Sequence, residues 1–265
     1  MHAVPEMLEV EVYRRHARAV LGRPVEKVIA PDRWILKHGL TPRVVRAALT
    51  GRTITADRRI GKLLLLDTDG GDGPTLGLRF GMTGRLLVDG RVPIEELEYG
   101  PKRSLAAWDR FALHFADGGS LVLNDPRRLG GVELAPDESH MGIDAWTITP
   151  AQLTTVLARS TAPVKARLMD QDRIAGLGNL LTDESLFRAG IDPARPAGSL
   201  TPTERRRLHR QVRATIDLLF ARGCSHMGDL QIARVRGGRC PRDGAALDRR
   251  TIGGRTTYSC PRHQN

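Results

Sequence analysis

The chain has 265 residues, 40% of them apolar, which is enough for one large domain or two modest ones and excludes a disordered tail or a disulfide-stapled miniprotein. Its formal net charge is +11, which favours a polyanionic partner, and its three cysteines, an odd number, suit a reducing compartment and a metal or buried role. No apolar run approaches the roughly 18 residues of a membrane span, and residues 1–15 carry charge where a leader needs an apolar core, so a cytoplasmic, nucleoid-associated monomer is expected.

Residues 8–21 place Leu8, Val12, Ala19 and Val20 near one helical face, with Gly22 as a left-handed stop. From about residue 53 to 134 the texture changes to short β-rich runs at 62–67, 75–80, 84–90, 110–115 and 120–125. Asp-Gly and Gly-Gly pairs at Asp69–Gly71, Asp89–Gly90 and Asp117–Gly119 break them, the spacing of an antiparallel sandwich or barrel. Residues 136–150 lack a sustained period and read as a linker. Helices follow: one starts at Thr149 or Pro150, one at Pro163, and one resumes after Gly176-Leu177-Gly178-Asn179. Thr201-Pro202-Thr203-Glu204 is a capping box that launches about 20 residues ending at Gly223. The expected class is α+β: an N-terminal β-sandwich with flanking helices over 1–135, a helical domain over 151–228 and a β-hairpin finger over 229–265.

The charge is unevenly placed. Residues 205–265 hold 14 arginines, no lysine and four aspartates, a net of +10, so the preceding residues carry only +1. Arginine's planar fork matches phosphate at two points, as expected of an end that grips a nucleic-acid backbone. A GC-rich genome also produces an arginine-rich, lysine-poor chain.

Cys240-Pro-Arg-Asp243 and Cys260-Pro-Arg-His263 are two ligand pairs of zinc-finger spacing, with Asp and His in place of two cysteines. A Cys₂HisAsp zinc site is chemically sound, though harder than Cys₄. The alternative is a metal-free hairpin turning at Asp243-Gly244. Cys224 lies apart and reads as a buried thiol. Gly176 to Asn179 sits before a helix whose first N–H groups can face an anion.

Residues 168–193 resemble the helix-two-turn-helix segment of the formamidopyrimidine-DNA glycosylase and endonuclease VIII family, and the similarity runs through the whole chain in the same order. Pro5-Glu6-Met7-Leu8-Glu9-Val10-Glu11 resembles the family's opening, and Arg59-Ile60-Gly61-Lys62 its strand entry. Phe80-Gly81-Met82-Thr83-Gly84 resembles its methionine loop, Asp125-Pro126-Arg127-Arg128-Leu129-Gly130 its DPRRFG string, and the tail its zinc finger. The resemblance implies a base-excision-repair glycosylase with AP lyase activity on damaged duplex DNA. In that family a terminal proline amine attacks C1′, expels the base and forms an imine that drives β,δ-elimination, with the next glutamate moving protons. Here these are Pro5 and Glu6. An α-amino group titrates near 8, against about 10.4 for lysine, so it is far more nucleophilic at neutral pH.

The resemblance further implies phosphate contacts from Lys62, Asn179 and Arg255, and filling of the extruded nucleotide's place by Met82, Arg127 and Leu129. Glu184 matches an acidic helix position and reads as a surface carboxylate. Arg79 replaces the usual histidine. About a dozen residues of the loop that closes over oxidised guanine are missing between Asp229 and Leu230, which argues against an 8-oxoguanine specialist.

Met1-His2-Ala3-Val4 precede Pro5, and an amide nitrogen cannot form an imine. The preferred reading is that Val4 is the initiator, read from a GTG codon, and that trimming the initiating methionine exposes Pro5. In the alternative the extension is real, and the protein is either a monofunctional enzyme relying on Glu6 and Glu9 or a catalytically silent binder of damaged or abasic DNA.

Overall fold

The computed structural model describes residues 5–70, 73–95, 97, 100–101 and 103–265; the Met1–Val4 extension and Gly71 of the Asp69–Gly71 turn lie outside the described residues. The chain divides into two compact units, one ending at Glu138 and the other spanning Ser139–Asn265.

The first unit opens with helix α1, Met7–Ala17, extended by a 3-10 turn over Arg18–Val20. Its start is a capping box: the Glu9 carboxylate accepts the Glu6 N–H at 2.9 Å. The buried stripe is Val10, Tyr13, Ala17 and Val20. Val12 is only half-buried and Ala19 exposed, which corrects the face expected from sequence. Strand β1 (Val25–Ile29) and helix α2 (Pro42–Leu49) follow. Next come β2 (Ile54–Ile60), β3 (Leu63–Thr68), β4 (Leu76–Arg79) and β5 (Arg85–Val88). The unit ends with β6 (Asp109–Phe115), β7 (Ser120–Asn124) and β8 (Gly131–Leu134).

All five runs read from the sequence are strands. With β1, β2 and β8 they form two antiparallel four-stranded sheets, ordered β1-β6-β7-β5 and β2-β3-β4-β8. Leu64, Leu66, Leu76 and Leu78 of one sheet and Leu86, Phe111, Leu113 and Leu123 of the other join Val10 and Tyr13 in a single core. Alternation along each strand sends every second side chain into this core. The β2–β3 register pairs Ile60 with Leu63, leaving a two-residue turn, Gly61-Lys62, in which Gly61 has a φ of 55°. Helix α2 was not expected, although Thr41 accepts the Val44 N–H and Pro42 takes the first turn.

In the second unit β9 (Ile143–Asp144), within the stretch that reads as a linker, pairs in parallel with β10 (Ile174–Ala175). Its helices are α3 (Pro150–Leu157), α4 (Val164–Leu168), α5 (Asn179–Ala189) and α6 (Pro202–Arg222). Thr149 and Thr201 cap α3 and α6 as their sequences indicate, and Gly190 and Gly223 end α5 and α6 in left-handed conformations. The unit closes with the hairpin β11 (Asp248–Ile252) and β12 (Arg255–Ser259). The architecture is the expected α+β one. Among the described residues no helix is long and apolar enough to cross a membrane.

Candidate active site and nucleic-acid interface

In the first unit, Pro5, Lys62, Arg79 and Leu129 line one cavity of about 200 Å³ together with Val10, Phe80 and Gly81. Four distant sequence segments thus converge, each placed by a local device. Pro5 and Glu6 precede the capped end of α1, where Glu6 is 2% exposed. Lys62 rides on the β2–β3 turn, whose Gly61 carbonyl accepts a 2.9 Å hydrogen bond from Arg59, while Arg59 also faces Glu11 of α1 at 3.4 Å. Burial pushes the Glu11 carboxyl up, but hydrogen bonds from Arg14 and Arg15 outweigh it and hold it at about 2, so it stays an anion.

The methionine loop and the 125–130 loop are held together by Asp125, which is wholly buried. Its carboxylate accepts from Thr83 Oγ1, from the Arg127 N–H at 3.2 Å and from the Gly130 N–H at 2.8 Å. Gly81, at a φ of 57°, lies so close to Leu129 that a Cβ would sit 2.5 Å from its carbonyl carbon, so only glycine fits. Tyr13 donates to the Gly84 carbonyl at 3.2 Å and packs on Phe80. Met82 is half-buried, whereas Arg127 and Leu129 are exposed. Arg79 leans on the buried Glu133 at 2.5 Å, which fixes a guanidinium at the cavity wall.

In the second unit, Gly176 has a φ of 114°, and the Gln171 side chain bridges its N–H and the Leu177 carbonyl; this turns the chain into α5. Asn179, the first residue of α5, donates to the Thr256 carbonyl at 3.2 Å. Arg255 follows the Gly253-Gly254 turn, whose φ values of 57° and 72° suit a type I′ hairpin, and its side chain is exposed. Two of the three expected phosphate-contacting residues are thereby brought near each other, since Asn179 bonds the carbonyl of the residue after Arg255. Sequence reasoning missed what fixes them. Lys165 Nζ, wholly buried, lies 2.7 Å from Asp183 and donates to Thr257 Oγ1 at 2.7 Å. Asp183 also pairs with Arg234, which reaches the Thr256 carbonyl. No local signal marks this network, because its members are 18 and 51 residues apart.

Glu184 corrects an expectation. It is 3% exposed instead of lying on the helix surface, and it accepts the Leu230 N–H at 2.9 Å. Burial raises its pKa. Asp229 is held by Arg188 at 2.6 Å and Arg222 at 2.7 Å, so the Asp229–Leu230 junction is pinned to α5 and α6. Cys224 is buried, as expected.

Cys240, Asp243, Cys260 and His263 converge, with ligand atoms all within 4.8 Å of one another. Cys240 Sγ is 3.8 Å from His263 Nδ1, Cys260 Sγ is 3.3 Å from Asp243 Oδ2, and His263 Nδ1 is 3.1 Å from the same oxygen. Bonds of 2.0–2.3 Å to a tetrahedral ion imply ligand separations of about 3.3–3.8 Å, so the donor set fits a metal of zinc's size. The Ala245 N–H holds the Asp243 carboxyl below its ordinary range, keeping it ionised as a ligand must be.

Comparison with known proteins accords with these features. Residues 4–132 match the formamidopyrimidine-DNA glycosylase N-terminal domain, and residues 141–227 match the H2TH domain of the same proteins. Together the two domains define a helix-two-turn-helix DNA glycosylase. The chain is 34% identical to the formamidopyrimidine-DNA glycosylase of Paracoccus denitrificans, covering 97% of this chain and 99% of that one, and 32% identical to that of Chloroflexus aggregans over 97% and 98%. Its fold matches the crystal structure of Lactococcus lactis Fpg with DNA containing N7-benzyl-Fapy-dG at a TM-score of 0.81, with 26% identity over 98% of this chain and 100% of that one. The chain belongs to the formamidopyrimidine-DNA glycosylase family, and its class of activity is that of a DNA glycosylase in base-excision repair.

Proposed function

We propose that the protein is a bifunctional DNA glycosylase and AP lyase acting on oxidised or otherwise damaged bases in duplex DNA, with Pro5 as nucleophile. The observation that carries this reading is the cavity lined at once by Pro5, Lys62 and Leu129, the residues we take as nucleophile, phosphate anchor and wedge. With residues 1–4 absent from the mature chain, the Pro5 secondary amine attacks C1′, and the damaged base leaves with the electrons of the glycosidic bond and takes up the proton that the amine sheds. A proton from Glu6 to the ring oxygen opens the sugar and yields an iminium. Loss of a proton from C2′ then expels the 3′-phosphate, and a second elimination expels the 5′-phosphate, after which water frees the enzyme. The crystallised Lactococcus protein binds DNA containing a Fapy-dG derivative, and a related complex of it contains an abasic site. By extension this chain grips lesion-bearing duplex DNA through Lys62, Asn179 and Arg255 and fills the vacated stack with Met82, Arg127 and Leu129. The pinned Asp229–Leu230 junction supports a substrate range that is not specialised for 8-oxoguanine.

Zinc is the metal we assign to Cys240, Asp243, Cys260 and His263, where it would brace the hairpin. Metal analysis should find one equivalent per chain, and a Cys260→Ser variant should lose it.

Borohydride trapping on abasic duplex tests the lyase reading. Protein starting at Pro5 should form a covalent adduct that Pro5→Gly, which keeps a terminal amine, forms more slowly and that an N-acetylated form does not. Tight binding of abasic duplex with no adduct from the Pro5-start form would refute this and point to the silent binder.

A further inference from the structure

Much of the cationic excess of residues 205–265 lies outside the DNA-directed positions. Within the second unit, α5, α6 and the Cys240–Asp243 knuckle enclose a groove of about 570 Å³, and a second hollow of about 400 Å³ shares its Arg188 and Arg242. One side of the groove is apolar: Phe187, Pro241 and Ile232, the last 72% exposed. Arg188, Arg207 and Arg242 supply the cations. The carboxylates that border the two hollows are already matched, Asp229 by Arg188 and Arg222 and Glu204 by Arg195. Among the described residues neither Arg207 nor Arg242 forms an ion pair, and Arg207 Nε is buried with no hydrogen-bond partner. Arg242 therefore lines the groove together with the exposed Ile232, and Arg207 lines the adjoining hollow that shares Arg242.

That combination selects among polyanions. A duplex about 20 Å wide cannot enter a hollow of this size, and it offers a flat row of phosphates with no apolar group for Ile232 and Pro241. Single-stranded nucleic acid binds through bases stacked on free aromatic faces. Phe187 offers none, because its ring is 5% exposed and packed edge-on to His263 with centroids 4.9 Å apart. A short acidic peptide with one or two apolar side chains meets both demands: its carboxylates pair with the guanidiniums while its apolar groups cover Ile232 and Pro241.

We propose that this groove, with the hollow beside it, docks an acidic peptide segment of a partner protein, about four to six residues long and carrying an apolar anchor, through residues other than those assigned to DNA. The test uses the full chain and a fluorescein-labelled pentapeptide of three acidic residues followed by leucine and phenylalanine, read by fluorescence anisotropy. Controls are the same peptide with amides in place of the acids and with glycines in place of the two apolar residues. The labelled peptide should bind at least tenfold more tightly than either control. Arg207→Glu and Ile232→Asp should each weaken it about tenfold, while melting temperature and abasic-duplex affinity stay within error of the parent. Three results would overturn the proposal: no preference over the controls, peptide affinity unchanged in both variants, or a matching loss of duplex affinity in Arg207→Glu, which would make the groove a nucleic-acid surface. If Ile232→Asp lowers the melting temperature, Ile232→Ser replaces it under the same criteria.

Discussion

Asp183 is a single carboxylate holding two cations, and removing it should be far more damaging than removing either. Lys165 and Asp183 are 0% and 1% exposed at their side chains, and Arg234 is 9% exposed. Asp183→Ala leaves a wholly buried Lys165 and a largely buried Arg234 without their counter-charge, a change that costs about 3–5 kcal/mol. Lys165→Met removes one cation of similar volume but leaves Asp183 paired with Arg234, so the loss should be about 1–2 kcal/mol, mostly from the donor lost at Thr257. In a unit of this size these costs lower the melting temperature by roughly 10–20 °C and 3–8 °C respectively. Trp146 lies in the second unit, edge-on to Phe220 with centroids 5.2 Å apart, so its fluorescence reports this unit once Trp34 and Trp108 are replaced by phenylalanine. Urea titrations in that background measure both variants. The reasoning fails if Asp183→Ala lies within 1 kcal/mol of the parent, or if Lys165→Met proves the more destabilising of the two.

Asp125→Asn should loosen the two loops that carry Met82, Arg127 and Leu129, because whichever way the amide turns, its NH₂ faces either the Arg127 or the Gly130 N–H. A loss of about 1–3 kcal/mol and faster amide exchange over 125–130 is expected, and unchanged exchange would refute it. Glu11, held at about 2 in the folded chain against an ordinary value near 4.5, adds stability that is complete above the unfolded pKa and disappears as pH falls through about 2. Urea midpoints of parent and Glu11→Gln should therefore differ at pH 6 and converge near pH 2. Glu184 has the opposite sign: its raised pKa means the folded state binds its proton more readily, so its contribution weakens as pH rises above the ordinary carboxylate range. Glu184→Gln, which keeps an acceptor for Leu230, should match or exceed parent stability at pH 7, whereas Glu184→Ala should lose about 1–3 kcal/mol.

What was legible in the sequence was whatever local chemistry writes down. Threonine-proline caps and alternating apolar runs fix α3, α6 and five strands, because each depends on neighbours a few residues away, whereas the hairpin turns at Gly253-Gly254 and not at Asp243-Gly244. Helix α2 carries the same threonine-proline signal at Thr41-Pro42 but only two fully buried apolar residues, Val45 and Leu49, so its period was too brief to notice. The convergence of Pro5, Lys62 and Leu129 came from family resemblance, since no spacing rule brings residues so far apart to one cavity. Glu184 was misread for a related reason: on α5 nearly every side chain is buried, so helical periodicity cannot mark a solvent face.

The arginine excess takes on a second meaning from these pairings. Of the residues expected to meet DNA, Arg127, Leu129 and Arg255 are exposed and Lys62 and Asn179 half-buried, and side chains on such turns and helix ends need their backbone fixed from behind. Arg59 spans Glu11 on α1 and the Gly61 carbonyl below Lys62. Arg234 spans Asp183 on α5 and the Thr256 carbonyl beside Arg255. Arg58 joins Asp67 on β3 to Glu138 at the end of the first unit. In each case one guanidinium satisfies acceptors on two separate elements through different edges of a rigid plane, which a single ammonium on a flexible stem does less well. Genome composition supplies arginines indiscriminately, but bridges of this kind depend on the fork, and they tie the turns that carry Lys62 and Arg255 to the stability of their units.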